Sequence, residues 1–275
     1  MLAYLKYILI GKGGFVVEYE NFKLEIDEQG IALFTADRPE KMNALNDKSW
    51  AEINDFFFWA DQSDEVKVVI ITGAGSKAFI AGADLNSLKV KKPTDCLGGA
   101  GQKALNRIQK CSKPVIAAVN GYAFGGGCET AIACDFRVVS ENALFALPET
   151  GLGILPGAGG TQRLSRLIGL GRAMDVILMG RKIGAEEAVE IGLATKCVPQ
   201  QELLLEAKKM AGKLIAKGPV ALRIAKQVVI ASLSSSQETG ELLEMLALST
   251  LCGTEDKMEG VSSFLEKRTP DYRGK

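Results

Sequence analysis

Two short apolar runs constrain the fold more than any other feature of this chain. KVVIITG, residues 67–73, and KPVIAAVNG, residues 113–121, are rich in β-branched residues, and each ends in glycine. Such runs predict strands that are buried on both faces of a mostly parallel sheet. Helical patterns alternate with these runs, so the sequence predicts an α/β core.

The pattern changes along the chain from strand–helix alternation to helices alone. Alternation in residues 23–39 predicts two antiparallel strands that turn near Glu28–Gly30, and residues 88–102 predict a mobile loop before a helix. Further strands are predicted at 136–140 and near 196–198, an apolar segment follows the first of these at 144–147, and helices are predicted at 46–60, 185–191, 201–216, 219–232, 236–251 and 254–265. We therefore predict three parts: a poorly ordered leader over 1–14, a core over 15–200 and a C-terminal helical region over 201–275.

Composition excludes several classes of function. Lys+Arg and Asp+Glu each number 33, so no net charge recruits nucleic acid or anionic lipid. The six cysteines form no CxxC pair, which favours reduced thiols and a cytoplasmic location. No stretch is long and apolar enough to span a membrane, so a soluble protein is expected.

The sequence contains no histidine. This absence excludes Ser-His-Asp and Cys-His nucleophile pairs and almost every transition-metal site. Acid–base chemistry near neutral pH must therefore use carboxylates, lysine, tyrosine or cysteine with shifted pKa values.

Two small-residue turns offer free backbone amides. GYAFGGGCE, residues 121–129, follows a predicted strand that ends at Val119, and it is interpreted as a glycine turn into a helix whose first amides carry the positive end of the helix dipole. KAFIAGADL, residues 77–85, offers Ala81–Ala83 after the strand at 67–73. The two turns could form an oxyanion hole, although each also fits an ordinary tight corner or loop.

Two glutamates accompany these turns. Glu129 interrupts an apolar run, and Glu149 in LPETGLGILPGAGGTQRL, residues 147–164, follows a proline that predicts an extended segment. Two carboxylates in an apolar, glycine-rich setting can divide the acid and base roles. Two separate surface glutamates are the alternative.

Taken together, the ordered motifs resemble the crotonase, or enoyl-CoA hydratase/isomerase, family. The resemblance covers residues from about Phe15 to the C-terminus. It rests on RPEKMNALN, KAFIAGADL, GYAFGGGCE, CDFRV, LPETGLGILPGAGGTQRL and STLCGTEDKMEGVSSFLEKR. It implies a crotonase-like spiral of ββα units with a C-terminal helical trimerisation region, assembled as a homotrimer or as a hexamer made of two trimers.

The resemblance also implies roles for particular residues. The N–H groups of Ala83 and Gly126 would bind the thioester carbonyl of an acyl-CoA, and Glu129 and Glu149 would be the catalytic carboxylates. Coenzyme A would contact a further set, partly across a subunit interface. That set is Ala44, Ala81, Asp84, Leu85, Phe264 and Lys267.

The implied activity is enoyl-CoA hydration in fatty-acid metabolism, as in β-oxidation. Glu129 would take a proton from water, and Glu149 would deliver a proton to C2 of a trans-2-enoyl-CoA. No metal or other cofactor is expected, because coenzyme A is part of the substrate. Δ3,Δ2-Enoyl-CoA isomerisation is the main alternative, although isomerases of the family commonly retain one glutamate. An RNA-binding or non-catalytic role is a remote alternative, because residues 52–67, where RNA-binding relatives carry a lysine-rich helix, are acidic and aromatic.

Overall fold

The computed structural model describes residues 7–10 and 14–275 of the chain. In this part of the chain, twelve strands form two sheets and alternate with helices. The strands are β1 (Tyr7–Ile10), β2 (Gly14–Glu18), β3 (Phe22–Ile26), β4 (Ile31–Ala36), β5 (Val68–Gly73), β6 (Ala78–Ile80), β7 (Val115–Val119), β8 (Tyr122–Phe124), β9 (Phe136–Ser140), β10 (Leu144–Ala146), β11 (Ile183–Gly184) and β12 (Lys196–Val198). The predicted leader thus includes β1, and its residues 1–6 and 11–13 lie outside the described residues.

Twelve α-helices lie within the described ranges. They are α1 (Asp47–Gln62), α2 (Leu85–Lys89), α3 (Pro93–Leu97), α4 (Ala100–Lys110), α5 (Gly126–Ala133), α6 (Gly160–Ile168), α7 (Leu170–Leu178), α8 (Ala185–Glu190), α9 (Leu203–Ile215), α10 (Pro219–Ala231), α11 (Gln237–Cys252) and α12 (Glu255–Leu265). Short 3-10 helices lie at Pro39–Lys41, Glu149–Leu152 and Gln200–Glu202. None of the helices in the described part is long and apolar enough to cross a bilayer.

The larger sheet confirms the predicted core. Its strand order is β1-β2-β3-β4-β5-β7-β9-β12, antiparallel from β1 to β4 and parallel from β4 to β12. Strand β5 is buried along its whole length. Successive residues point to opposite faces, so Val69 and Ile71 join one apolar core while Val68 and Ile70 join another. The apolar runs of the sequence are therefore strands covered on both sides.

The second core lies against α9, the first helix of the predicted C-terminal region. Leu203, Ala207 and Ala211 of α9 pack against the sheet. By contrast, neither α10 nor α11 contains a buried residue. The apolar side chains of α10 and α11 are thus exposed or only partly buried in the single chain.

The smaller sheet was missed by the sequence interpretation. Its order is β11-β10-β8-β6, and β6, β8 and β10 run parallel. The glycine turn of GGGCE follows β8 rather than β7, and the turn at residues 81–83 follows β6 rather than β5. Strands β6, β8 and β10 have three residues each, too few to show a period of two.

The predicted mobile loop at residues 88–102 was also wrong in part. This segment contains α3 and the start of α4. Pro93 occupies the first turn of α3, and the Asp95 side chain accepts the N–H of Lys92 at 2.8 Å. A proline at the start of a helix and an acidic residue that returns to cap it stabilise this short helix.

Candidate active site

Three parallel strands of the smaller sheet end at one edge, and each leads into a turn that carries a predicted site residue. Strand β6 precedes Gly82–Ala83, β8 precedes Gly125–Gly126, and β10 precedes Pro148–Glu149. The carboxyl ends of neighbouring parallel strands lie side by side, which is where ligands bind in α/β proteins. The topology therefore brings together residues that are far apart in the sequence.

Glycine allows these turns to approach one another closely. Gly125 has a φ of 50° and Gly82 a φ of 115°, both in the region that favours glycine. A Cβ added at Gly125 would lie 2.7 Å from Oε1 of Glu149 and 3.8 Å from Cα of Gly82. The three turns thus surround one small space, and a side chain at residue 125 would collide with the Glu149 carboxylate.

Two backbone N–H groups at this edge have no backbone acceptor in the described part of the chain. The N–H of Leu45 donates to Gly82 O and that of Asp84 to Leu45 O, both at 2.8 Å, so the intervening N–H of Ala83 points away from Leu45. Gly126 is the first residue of α5, where helix geometry leaves an N–H unbonded. The N–H groups of Ala83 and Gly126 are therefore both available to a ligand oxygen, and an oxyanion hole requires two such donors.

Glu129 lies in the first turn of α5 and is buried. Its Oε1 accepts the N–H groups of Ala158 and Gly160, each at 2.7 Å. Burial raises the pKa of Glu129, while the two N–H donors and the charge of Arg163 act in the opposite direction. Gly160 begins α6, so Oε1 also lies at the positive end of a second helix. These donors hold the carboxylate in one orientation.

Glu149 is the first residue of a 3-10 helix, so the prediction of an extended segment was wrong. The physical reason is that proline restricts the residue before it, here Leu147, rather than the residue after it. Pro148 has φ −85° and ψ 10° and acts as the N-cap of the 3-10 helix. Glu149 is therefore free to begin the turn.

The environment of Glu149 favours its protonated form. The side chain is half-buried, and its Oε2 atom is buried without a hydrogen-bond partner in the described part of the chain. Burial, together with the negative charge of Glu129, raises the pKa of Glu149 to about 7. A carboxyl group with such a pKa can exchange a proton near neutral pH.

Four predicted coenzyme A residues lie together beside Ala83. They are Ala44, Ala81, Asp84 and Leu85. The parallel bridge between Leu45 and Ala83 joins the two segments, and the N–H of Ala81 donates to Met42 O at 3.0 Å. The Leu85 side chain is exposed. Backbone hydrogen bonds thus hold the two segments side by side next to Ala83.

Sequence reasoning missed two side chains that support this arrangement. Arg38 Nη1 donates to Ala44 O at 2.7 Å, and Arg38 also pairs with Asp84 at 3.4 Å. Trp50 lies behind the oxyanion hole, since a Cβ added at Gly126 would be 3.2 Å from Trp50 Cζ2. Arg38 lies within the quoted motif RPEKMNALN, but nothing in one sequence marks its long-range partner.

Phe264 and Lys267 lie apart from these residues. Phe264 belongs to α12 and is 83% exposed, and Lys267 follows that helix with a φ of 56°. Within the described part of a single chain, no contact links either residue to the oxyanion hole. Their role would require a second subunit and stays a prediction.

Comparison with known proteins identifies the family to which this geometry belongs. A family model described as enoyl-CoA hydratase/isomerase matches residues 27–275. The chain belongs to the enoyl-CoA hydratase/isomerase family. It is 42% identical over 259 residues to a crotonyl-CoA hydratase of Syntrophomonas wolfei, which covers 94% of this chain and 99% of that protein. It is also 42% identical over 254 residues to a short-chain-enoyl-CoA hydratase of Clostridium acetobutylicum, with 92% and 97% covered.

Solved structures agree with this assignment. An enoyl-CoA hydratase from Bacillus anthracis superposes with a TM-score of 0.90 at 38% identity, covering 93% of this chain and 100% of that one. One from Geobacillus kaustophilus gives a TM-score of 0.89 at 36% identity, with 94% and 100% covered. The prediction of a crotonase fold, an α/β core followed by a helical C-terminal region, is confirmed.

Proposed function

We propose that this enzyme is an enoyl-CoA hydratase that adds water reversibly across the 2,3 double bond of trans-2-enoyl-CoA thioesters. The chemistry needs a group that takes a proton from water, a group that gives a proton to C2, and donors for the enolate oxygen. The edge of the smaller sheet supplies all three from four residues. They are Glu129, Glu149, Ala83 and Gly126.

In this mechanism the thioester carbonyl accepts the N–H groups of Ala83 and Gly126. Water bound between the carboxylates loses a proton to Glu129 as its oxygen bonds to C3, and the π electrons move toward the thioester oxygen. Glu149 then gives its proton to C2 as the enolate collapses. The proton on Glu129 is released to solvent and Glu149 is reprotonated, which restores the starting state. The two N–H donors stabilise the charge that develops on the enolate oxygen.

One observation carries the proposal: the two carboxylates at one edge have different hydrogen-bond partners. Glu129 is held by two N–H donors, which favour its ionised form, whereas Glu149 has an unpartnered buried oxygen and a pKa raised to about 7. Pairs of carboxyl groups whose environments differ in this way divide the base and acid roles. Proton transfer between two carbons needs only one such group, so the pair favours water addition over isomerisation.

The relatives support a short-chain substrate. Two proteins 42% identical to this chain are named for crotonyl-CoA and short-chain enoyl-CoA hydration, and we extend that substrate class to this enzyme. A role in fatty-acid β-oxidation and a cytoplasmic location complete the proposal. All six cysteines, which lie in the described part, are unpaired, as expected for a reducing compartment. The reaction as written uses no metal or further cofactor.

We also propose a trimer or a dimer of trimers. Helix α11 has no buried residue, and its apolar side chains are exposed in the single chain. These are Leu242, Leu243, Met245, Leu246 and Leu248. Large exposed apolar surfaces mark association sites. Light scattering should therefore give a mass of three or six chains, and a mass near 29.4 kDa at micromolar concentration would contradict the assembly.

The activity is tested with purified enzyme and two sets of substrates. Turnover of 2-enoyl-CoA thioesters of increasing acyl length is followed by the loss of the conjugated-enoyl absorbance, and 3-enoyl-CoA is assayed for conversion to the conjugated form. We expect hydration of crotonyl-CoA to be the faster reaction. In D₂O the product should carry one deuterium at C2. Isomerisation of 3-enoyl-CoA that is faster than hydration of every 2-enoyl-CoA would overturn the proposal.

A further inference from the structure

The loop that holds Glu129 is itself held by an arginine. Ala158 contributes to this loop in two ways: its N–H donates to Glu129 Oε1 at 2.7 Å, and its carbonyl accepts Nη1 of Arg163 at 2.9 Å. That carbonyl belongs to the peptide group between Ala158 and Gly159. The N–H groups of Ala158 and Gly160 lie on either side of it, so fixing this peptide group fixes both donors to Glu129.

The same guanidinium reaches across to helix α4. Arg163 Nε donates to Oε1 of Gln109 at 3.0 Å, and Nη2 donates to Oδ1 of Asn106 at 2.7 Å. Three N–H groups of the planar guanidinium thus donate hydrogen bonds, two to acceptors on α4 and one to an acceptor on the loop. A guanidinium presents donors in this fixed geometry, whereas the ammonium of lysine is a point charge on a flexible chain.

Gly159 provides independent support for this role. It has a φ of 104°, and a Cβ added there would collide with Nη1 of Arg163 and lie 3.2 Å from Cζ. The glycine is therefore required both by its backbone conformation and by the space that the guanidinium occupies. The loop has the shape that allows an arginine to lie against it.

Electrostatics couples the arginine to the same carboxylate. The charge of Arg163 lowers the pKa of Glu129, against the larger effect of burial. The other titratable groups that interact with Glu129 are the carboxyl of Glu149 and the buried thiol of Cys128, and the negative charge of Glu129 raises the pKa of both. Arg163 is the cation among these neighbours.

We propose that Arg163 is a positioning residue for Glu129: its guanidinium locks the Ala158–Gly160 loop to α4, so that two backbone N–H groups hold the carboxylate where it takes the proton from water. This inference rests on the hydratase activity proposed above. It assigns a kinetic role to an arginine that touches no reacting atom.

A purely structural role makes a different prediction. Arg163 also lines a cavity of about 820 Å³ between α4, α6 and α10, so its loss could simply loosen packing. In that case stability would fall while kcat and its pH profile stayed near normal. A positioning role instead predicts lower kcat, little change in KM, and a displaced acidic limb of the pH profile.

The test compares Arg163→Met with Arg163→Lys, Gly159→Ala and a control. The control is Arg166→Met, which removes an exposed arginine on the same helix that donates to Gln162. Circular dichroism and thermal unfolding establish that each variant is folded. Hydration of crotonyl-CoA is then measured across the pH range for kcat and KM.

We expect Arg163→Met to lower kcat roughly 10- to 100-fold with KM changed much less, since displacement of a catalytic group costs rate rather than binding. Its acidic limb should move to higher pH, because Glu129 loses a nearby positive charge. Arg163→Lys should keep the acidic limb near its normal position but still lower kcat. Gly159→Ala should lower kcat with the arginine present, and Arg166→Met should resemble the wild type.

Two results would overturn the inference. The first is a folded Arg163→Met enzyme whose kcat and acidic limb match those of Arg166→Met. The second, which applies if Arg163→Met does not fold, is an Arg163→Lys enzyme with wild-type kcat. Both require an active wild-type enzyme, so an inactive wild type would count against the proposed function and is a distinguishable result.

Discussion

Glu129 and Glu149 follow neighbouring parallel strands of one small sheet, and burial raises the pKa of both, yet their hydrogen-bond partners differ. Glu129 is buried in an α-helix, and its Oε1 accepts two N–H groups at 2.7 Å. Glu149 begins a 3-10 helix, is half-buried, and has one buried oxygen without a partner in the described part of the chain. The same residue type thus follows two neighbouring strands, with two N–H donors from another loop at Glu129 and with one unpartnered oxygen at Glu149.

In the proposed mechanism, this difference gives one site a base and an acid without histidine. Backbone donors and the ends of two helices favour negative charge on Glu129. Burial and that negative charge raise the pKa of Glu149 to about 7, and its Oε2 atom has no hydrogen-bond partner in the described residues. The roles are therefore set by backbone geometry around each carboxyl group rather than by the identity of the side chain.

The strongest way to break this comparison is to remove each carboxylate in turn. Glu129→Gln and Glu149→Gln should each lower kcat for hydration roughly 10²–10⁴-fold, the scale for losing a general acid or base. The double variant should lose much less than the product of the two, because both groups act on one water and one enolate. Glu141→Gln, at an exposed position between them in sequence, is the control. Near-normal activity in either single variant would remove that glutamate from the mechanism.

A second test asks whether the N–H group of Ala83 is one of the donors to the thioester oxygen. Ala83→Pro deletes one N–H donor and should lower kcat roughly 10²–10³-fold in a folded protein. Ala83→Gly keeps the N–H and should retain most of the activity. If folded Ala83→Pro had the kcat of Ala83→Gly, Ala83 would not belong to the hole.

A third test sharpens the assignment of acid and base through pH. Hydration requires Glu149 to be protonated and Glu129 to be ionised. The value of kcat/KM should therefore fall about tenfold per pH unit above the pKa of Glu149 and below the pKa of Glu129. Because the pKa of Glu149 is about 7, the alkaline limb should lie near that pH. The acidic limb should lie above the ordinary value of 4.5, since burial raises the pKa of Glu129. A rate that keeps rising through pH 7 would contradict the acid role of Glu149.

Much of the fold could be predicted because its signals are local. The runs that became β5 and β7 are apolar throughout, and the Asn46 cap of α1 is a signal at a helix start. The smaller sheet could not be predicted, since strands of three residues carry no periodicity. Its parallel pairing, which creates the site, depends on contacts between distant segments.

The candidate site could be predicted in its residues but not in its environments. Motif resemblance pointed to Glu129 and Glu149, whereas the donors to Glu129 come from a loop whose backbone direction no sequence pattern specifies. Arg163 lies within the motif LPETGLGILPGAGGTQRL. Its partners Asn106 and Gln109 lie on α4, for which the sequence predicted a helix after a loop but no bounds. One position of the sequence specifies a side chain, whereas the hydrogen-bond partners of that side chain on other elements are specified only by the folded chain.

The proposed mechanism requires that the Glu149 carboxyl group, and not that of Glu129, loses its proton near pH 7 in the resting enzyme. Infrared difference spectra between wild type and Glu149→Gln, recorded across pH, test it directly, because signals of other buried carboxyl groups such as Glu52 cancel. The account predicts a protonated-carboxyl band that disappears near pH 7 in the wild type and is absent in Glu149→Gln. In Glu129→Gln the band should disappear at lower pH, since the charge of Glu129 raises the pKa of Glu149. A band that titrates near pH 7 in Glu149→Gln as it does in the wild type would contradict the account.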